Sequence, residues 1–301
     1  LEFRRVLFRS ALIPALLARL SLSGARKAKQ HLRLLDATLI RPGNAARDWA
    51  HFQHGHAAAK VHVVYDPQAQ VPIFYEITSA NTNDITVAKA KMPIEPGATY
   101  VFDLGYYDFG FWADLDARGC RFVTRLKANT RLTVHTEHPV PAGTNIVRDQ
   151  TVTLPGRLAR SRSNPFAKTG RMVTVVTETG AILRLFSNDL EAPAQAIAEL
   201  YKTRWQIELF FRWIKQNLHI RRFLGRSLNA VRLQIAAAII TYLLIKILHA
   251  AARTRKTAAV FAKTLRATIF LRIEIQTLVQ RIDHKPGRRP RSQIPQLELD
   301  L

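Results

Sequence analysis

The stretch YKTRWQIELFFRWIKQN, Tyr201 to Asn217, decides how the rest of this chain is read. Tyr201, Arg204, Glu208 and Lys215 follow one another at three, four and seven residues. At about 100° per residue on a helix they fall within an arc of roughly 60°. One stripe thus combines a carboxylate, two cations and a phenol, a set suited to handling phosphate. Ile207, Phe210, Phe211, Ile214 and Leu218 form the neighbouring apolar face, which predicts a helix docked on a core with the polar stripe at its rim. An ordinary amphipathic helix would leave the same edge solvated, with Arg204 and Glu208 as an i,i+4 pair. The stripe by itself does not separate these readings.

Composition narrows the partner. The 301 residues carry 45 Lys+Arg against 22 Asp+Glu, a formal charge of +23, which points to a polyanion and first of all to nucleic acid. An anionic membrane surface is the weaker alternative. With 48% hydrophobic residues the chain can bury one large core or two smaller ones. Its longest apolar run, Leu233 to Ile245, stops at Lys246, short of the roughly 20 residues that span a bilayer, so it reads as a buried helix and no membrane is expected. Cys120 is the only cysteine, which excludes a disulfide framework and a thiolate zinc site and suits a reducing cytoplasm. The chain opens on Leu1, and LEFRRVLFRS reads as cloning- or adapter-derived sequence joined to an N-terminally truncated protein. It lacks the apolar run and cleavage site of a signal peptide.

Along the chain, HLRLLDATLI (31–40), AKVHVVYD ending at Asp66, and VPIFYEITS (71–79) read as strands, with Asp66-Pro67 as the turn between the last two. NTNDITVAKAKM reads as a short helix with Asn81 or Asn83 as its cap and Pro93 as its stop. TYVFD (99–103) is a fourth strand, DFGFWADLDARG a helix ending at Gly119, and CRFVTRLK (120–127) a fifth strand. The order β-β-β-α-β-α-β predicts a mixed sheet with helices on both faces. Short strand-like runs with Gly, Pro and Ser between them mark a β-rich insertion, 128–192. Pro193 then opens a mostly helical remainder. The predicted division is a remnant, 1–30; the first part of a catalytic domain, 31–127; the insertion, 128–192; the continued catalytic domain, 193–252; and a basic helical segment with a disordered tail, 253–301.

Asp36 interrupts an apolar strand and Asp103 ends another just before Gly105. A carboxylate there is costly unless it is paired, accepts backbone hydrogen bonds or binds a metal. Together with Glu208 the two could form an oxygen-rich pocket for a pair of Mg²⁺ ions that serve phosphoryl transfer. Other candidates are weaker. His51, His54, His56 and His62 read as a solvated loop; Asp108, Asp114 and Asp116 as caps or surface groups; Trp205 and Trp213 as packing residues that could also stack on a base. Arg221, Arg222, Arg226 and Arg232 extend the cationic surface and fit phosphate contacts.

LLDATLI, VFDLGYYDFGFW and YKTRWQIELFFRWIKQNL with the following GRSLNAVRLQI resemble the DDE transposases of bacterial insertion sequences, the insertion-sequence-four group with its Y-R-E-K signature. The resemblance runs over roughly residues 31 to 250. It implies a ribonuclease-H-like α/β fold, a mixed sheet with flanking helices, interrupted by the β-rich insertion and ending in a helical part. It implies Asp36, Asp103 and Glu208 as the catalytic, metal-binding triad for two Mg²⁺ ions, with Mn²⁺ able to substitute. Tyr201, Arg204 and Lys215, joined by Arg221 and Arg222, would bind DNA phosphates. The implied activity is cleavage and strand transfer at insertion-sequence ends. The implied partners are double-stranded DNA, as transposon ends and target, and a second copy of the chain assembled on it, in the bacterial cytoplasm at the nucleoid. The 66 residues between Asp36 and Asp103 and the 104 between Asp103 and Glu208 exceed a bare core, and the insertion accounts for the excess. Members of the family carry an N-terminal DNA-binding region, so reading of transposon ends is expected to be weak here. Two other readings stay open: a ribonuclease-H-like nuclease that only hydrolyses, and a catalytically inert, truncated DNA-binding protein.

Overall fold

In a computed structural model, residues 12–19, 31–40, 58–140, 142–156, 163–217 and 227–268, with 277 and 280, are described. The β-branched runs form β1 (Leu32–Ile40), β2 (Ala59–Asp66), β3 (Val71–Ser79), β4 (Thr99–Val101) and β5 (Arg121–Arg125). Between them lie α1 (Asp84–Lys91) and α2 (Phe109–Ala117), which ends where Gly119 takes φ +69°, a conformation glycine adopts without a Cβ penalty. Asp66 Oδ1 accepts from the Gln68 and Ala69 amides and closes the β2–β3 hairpin at the expected place.

One sheet of nine strands runs β3-β2-β1-β4-β5-β9-β8-β7-β6. β2 is antiparallel to β1 and β3, while β1, β4 and β5 are parallel. This half is the mixed sheet that the element order predicts. The β-rich segment forms β6 (Thr133–Glu137), β7 (Ile146–Thr153), β8 (Thr169–Val176) and β9 (Ile182–Ser187). These strands extend the same sheet, because β9 pairs antiparallel with β5 at Thr124↔Phe186. An aromatic cluster holds the join. Trp112 of α2 lies 5.6 Å, centroid to centroid, from both Phe122 of β5 and Phe186 of β9, with Phe166 edge-on to all three.

Strand alternation assigns the two faces. Leu35 and Val64 belong to one core with Ala88 and Met92 and the aromatics of α2. Asp36 and Thr38 point the other way, to α3 (Ala194–Thr203) and α4 (Trp205–Asn217), where Tyr65 meets Phe210 at 5.2 Å. Helices therefore lie on both faces, as expected. α5 (Leu228–Ala252) and α6 (Ala258–Thr268) follow. Among the described residues α5 is the one helix long and apolar enough to cross a membrane by length and composition. It is longer than the apolar run within it, and Val231, Ile235, Ile239 and Leu243 bury one side of it, as in a core helix. By chain contacts the molecule divides into two units, Leu1–Ile240 and Thr241–Leu301.

Candidate active site

The edges of two parallel strands bring the strand carboxylates together. Leu34 of β1 pairs with Val101 of β4, and Asp36 and Asp103 each lie two residues further along. Neighbouring strands are about 4.8 Å apart, so two like charges end up side by side. Each carboxylate accepts one backbone amide: Ala37 N–H donates to Asp36 Oδ1 and Gly105 N–H to Asp103 Oδ1, both at 2.8 Å.

The third carboxylate comes from a helix packed on the face to which Asp36 points. The expected stripe is divided between two helices, because the chain leaves regular α geometry at Arg204. The Arg204 amide bonds to Tyr201 O and the Ile207 amide to Arg204 O, both three residues back. This break corrects the single-helix reading and lets Arg204 face inward. Its Nη1 donates to Asp36 Oδ2 at 3.3 Å and its Nη2 to Glu208 Oε1 at 2.6 Å, so one guanidinium joins β1 to α4. Lys215 Nζ donates to Thr38 Oγ1 at 2.6 Å. Asp36, Thr38, Glu208, Arg212 and Lys215 line a cavity of about 330 Å³.

Charge is unbalanced here. Burial, then the charge of Asp103, pushes the Asp36 carboxyl up to about 7, against the pull of the Ala37 amide and Arg204. Burial pulls the Arg204 guanidinium down, but the surrounding acidic groups more than offset it and hold it above its ordinary value. Tyr201 is buried rather than at the rim. Its ring lies 5.7 Å from the Arg204 guanidinium carbon, its hydroxyl is enclosed, and burial raises its pKa. Along α3, Arg204 and the half-exposed Trp205 also form part of the wall of a groove of about 1180 Å³, with Lys202, Val147 and Leu183.

The donor set of three carboxylates, Asp36, Asp103 and Glu208, suits a hard cation. Among the described residues, no three acidic, His or Cys side chains are drawn close enough to coordinate one ion, and Arg204 stands between Asp36 and Glu208.

Residues 27–244 match the transposase DDE domain family. The chain belongs to this DDE transposase family. A protein of Sinorhizobium fredii bearing a transposase name is 39% identical over 271 residues, covering 88% of this chain and 74% of its own length. The transposase for an insertion sequence element of Bacillus thuringiensis is 25% identical over 279 residues, covering 74% of this chain and 57% of its own length. Among solved structures, a piggyBac transposase synaptic complex with hairpin DNA is similar at 11% identity and TM-score 0.47, over 86% of this chain and 55% of that one.

Other expectations for this transposase fare unevenly. Asp108 caps α2 through the Phe111 amide at 2.8 Å, Asp114 pairs with Arg118, and Asp116 with Lys168 and Asn188, all as surface or capping roles require. His62 is corrected: it lies on β2, fully buried, because the strand continues through it. His51, His54 and His56 lie outside the described residues, as do Leu218, Arg221, Arg222 and Arg226. Arg232 is exposed on α5. Sequence reasoning passed over Asp84, since the two asparagines nearby drew the capping assignment. Asn83 is the cap position, and Asp84 stands beside Asp103.

Proposed function

We propose that this transposase cuts DNA at insertion-sequence ends and joins the freed 3′-hydroxyl to target DNA, with Asp36, Asp103 and Glu208 as the residues that hold Mg²⁺, or Mn²⁺ in its place. The observation that carries the reading is the Asp36–Arg204–Glu208 bridge beside Asp103, with the Asp36 carboxyl pushed up to about 7. Asp36 of β1 and Glu208 of α4 share the guanidinium of Arg204, with the charge of Asp103 beside Asp36. Such a set favours added positive charge. A pair of bound ions would supply Lewis acidity toward the phosphate and toward the attacking and leaving oxygens.

The chain's own residues do the remaining work. Arg204 changes partner from carboxylate to phosphate, and its planar fork suits either. The Tyr201 ring beneath it restricts where the guanidinium can go. Lys215, set on Thr38 in the wall of the same cavity, adds a second phosphate-binding cation. In each step an oxygen attacks phosphorus in line, first of water and then of the 3′-hydroxyl, while the opposite P–O bond breaks. Assembly of two copies on paired ends, in the bacterial cytoplasm, belongs to the same reading.

The test uses end-labelled insertion-sequence DNA with Mg²⁺. Asp36→Asn should slow cleavage by about 10³-fold or more, matching the several kcal/mol a metal ion contributes, while DNA affinity is kept or raised. Labelled strands joined to target DNA separate transposition from hydrolysis alone. Full cleavage by the variant would assign Asp36 to structure.

A further inference from the structure

Asp84 is the first residue of α1, and its two oxygens meet different surroundings. Oδ2 lies against Gly105: a Cβ on that glycine would stand 2.9 Å from Asp84 Oδ2 and 3.0 Å from Asp103 Oδ1. Two carboxylates thus flank a space that only a glycine hydrogen fills. Asp84 Oδ1 stands 3.0 Å from Lys60 Nζ and 3.4 Å from His62 Nδ1, without hydrogen-bond geometry to either. Lys60 Nζ also donates to Thr82 O at 2.9 Å and so anchors the turn that leads into α1.

Two fully buried polar side chains carry unpaired atoms, and one of them, His62, faces Asp84. His62 Nδ1 and the Tyr106 hydroxyl have no hydrogen-bond partner, although His62 Nε2 is paired with Thr78 Oγ1 at 2.9 Å. The Tyr106 amide donates to Asp103 O at 3.3 Å, so this residue belongs to the turn that carries Asp103 and Gly105. A buried polar group left unpaired costs about 1–3 kcal/mol, which phenylalanine at position 106 would remove from a purely structural core. The complement of two carboxylates about Gly105 and an unpaired buried ring nitrogen beside one of them is the water shell of a hard cation, which offers both donors and acceptors.

We propose that Asp84 is a fourth acidic residue of the centre, a positioning residue that sits beside Asp103 across Gly105, is held by Lys60, and acts through the waters of the divalent cation. The inference rests on the reading of Asp36, Asp103 and Glu208 as cation ligands.

Binding of Mn²⁺ and Mg²⁺ to the chelator-stripped full chain, followed by titration calorimetry, tests it beside metal-free thermal unfolding. Asp84→Asn should weaken ion affinity about 10-fold or more, as the loss of a residue supporting metal ligands does, in protein that still unfolds cooperatively. Gly105→Ala, which retains every charge but wedges the pair apart, should weaken it in the same direction. It also decides the question if Asp84→Asn does not fold. Unchanged ion affinity in a folded Asp84→Asn or Gly105→Ala protein would overturn the proposal. Asp36→Asn distinguishes the two levels: loss of affinity there with none in Asp84→Asn rejects this inference alone. A wild-type chain that binds neither ion rejects the ligand reading and this inference with it.

Discussion

Two arginines of this transposase are set among carboxylates, one on an inserted strand and one between α3 and α4, and they are matched differently. In the inserted half, Arg171 on β8 meets Asp149 on β7 as a fork: Nε to Oδ1 at 2.5 Å and Nη2 to Oδ2 at 2.7 Å, with Nη1 donating to Leu190 O. One cation serves one carboxylate that is 3% exposed. In the other half, Arg204 is divided between Asp36 and Glu208, with Asp103 as a third negative charge nearby. A buried pair with full hydrogen bonding is complete and can only be broken. A site short of positive charge can still gain from a cation or a change of partner, which is what chemistry on phosphate requires.

The largest expected effect comes from breaking the complete pair. Arg171→Met should cost about 3–5 kcal/mol in denaturant unfolding near pH 6 without metal, because Asp149 is left buried and unpaired. Arg204→Met should cost less than half as much, since Asp36, already poised near 7, takes up a proton in place of the lost cation. Equal losses at the two positions would remove the distinction.

Much of this was legible in the chain, for physical reasons that also mark the limit. β1 to β5 follow from β-branched runs and turn residues, and Asp36 and Asp103 stand out because carboxylates are costly in such strands. The Y-R-E-K spacing placed Arg204 beside Glu208. It could not show the break at Arg204, since a helical period is blind to a three-residue hydrogen bond in its middle. Tyr201 was misplaced for the same reason, at the rim when it is buried. Nor could periodicity show that the inserted strands continue the first sheet, because β5–β9 pairing is a long-range contact. Asp84 was passed over and His62 was placed in a solvated loop because their surroundings are assembled from β2, α1 and the turn after β4, segments with no local pattern in common.

A smaller effect follows from the sign of the Asp36 shift. Its carboxyl titrates near 7 in the folded chain against an ordinary 3.8, so as pH rises the unfolded chain gives up its proton first. Stability is therefore lost as pH climbs from about 4 to about 7, and the full cost is present above. Asp36→Asn should stabilise the metal-free protein by roughly 2–4 kcal/mol at pH 8, at about 1.4 kcal/mol per unit, with the gain fading below pH 4. His62, held down at about 4 by burial, works oppositely, since stability falls as pH drops from 6.5 toward 4. It is present in both proteins, so the difference between their unfolding curves isolates Asp36. A gain that persists unchanged at pH 3.5 would trace to packing and not to charge.

The smallest effect concerns the salt dependence of DNA binding. A charge paired within the protein has no counterion to displace from DNA, whereas an unpaired surface arginine releases about 0.9 of one per phosphate it meets. Arg221 and Arg222 follow the α4 stripe in a chain of net charge +23. Replacing both by Ala should flatten the plot of log affinity against log salt by about two units, close to a tenfold smaller loss of binding between 50 and 200 mM salt. Arg171, satisfied by Asp149, should leave that slope unchanged when replaced by Met in protein that remains folded. Filter binding to non-specific duplex across the salt range measures both. A slope unmoved by the Arg221 and Arg222 changes would assign those two residues to solvated surface, and a slope moved by Arg171→Met would mean that the Asp149 pair opens on DNA.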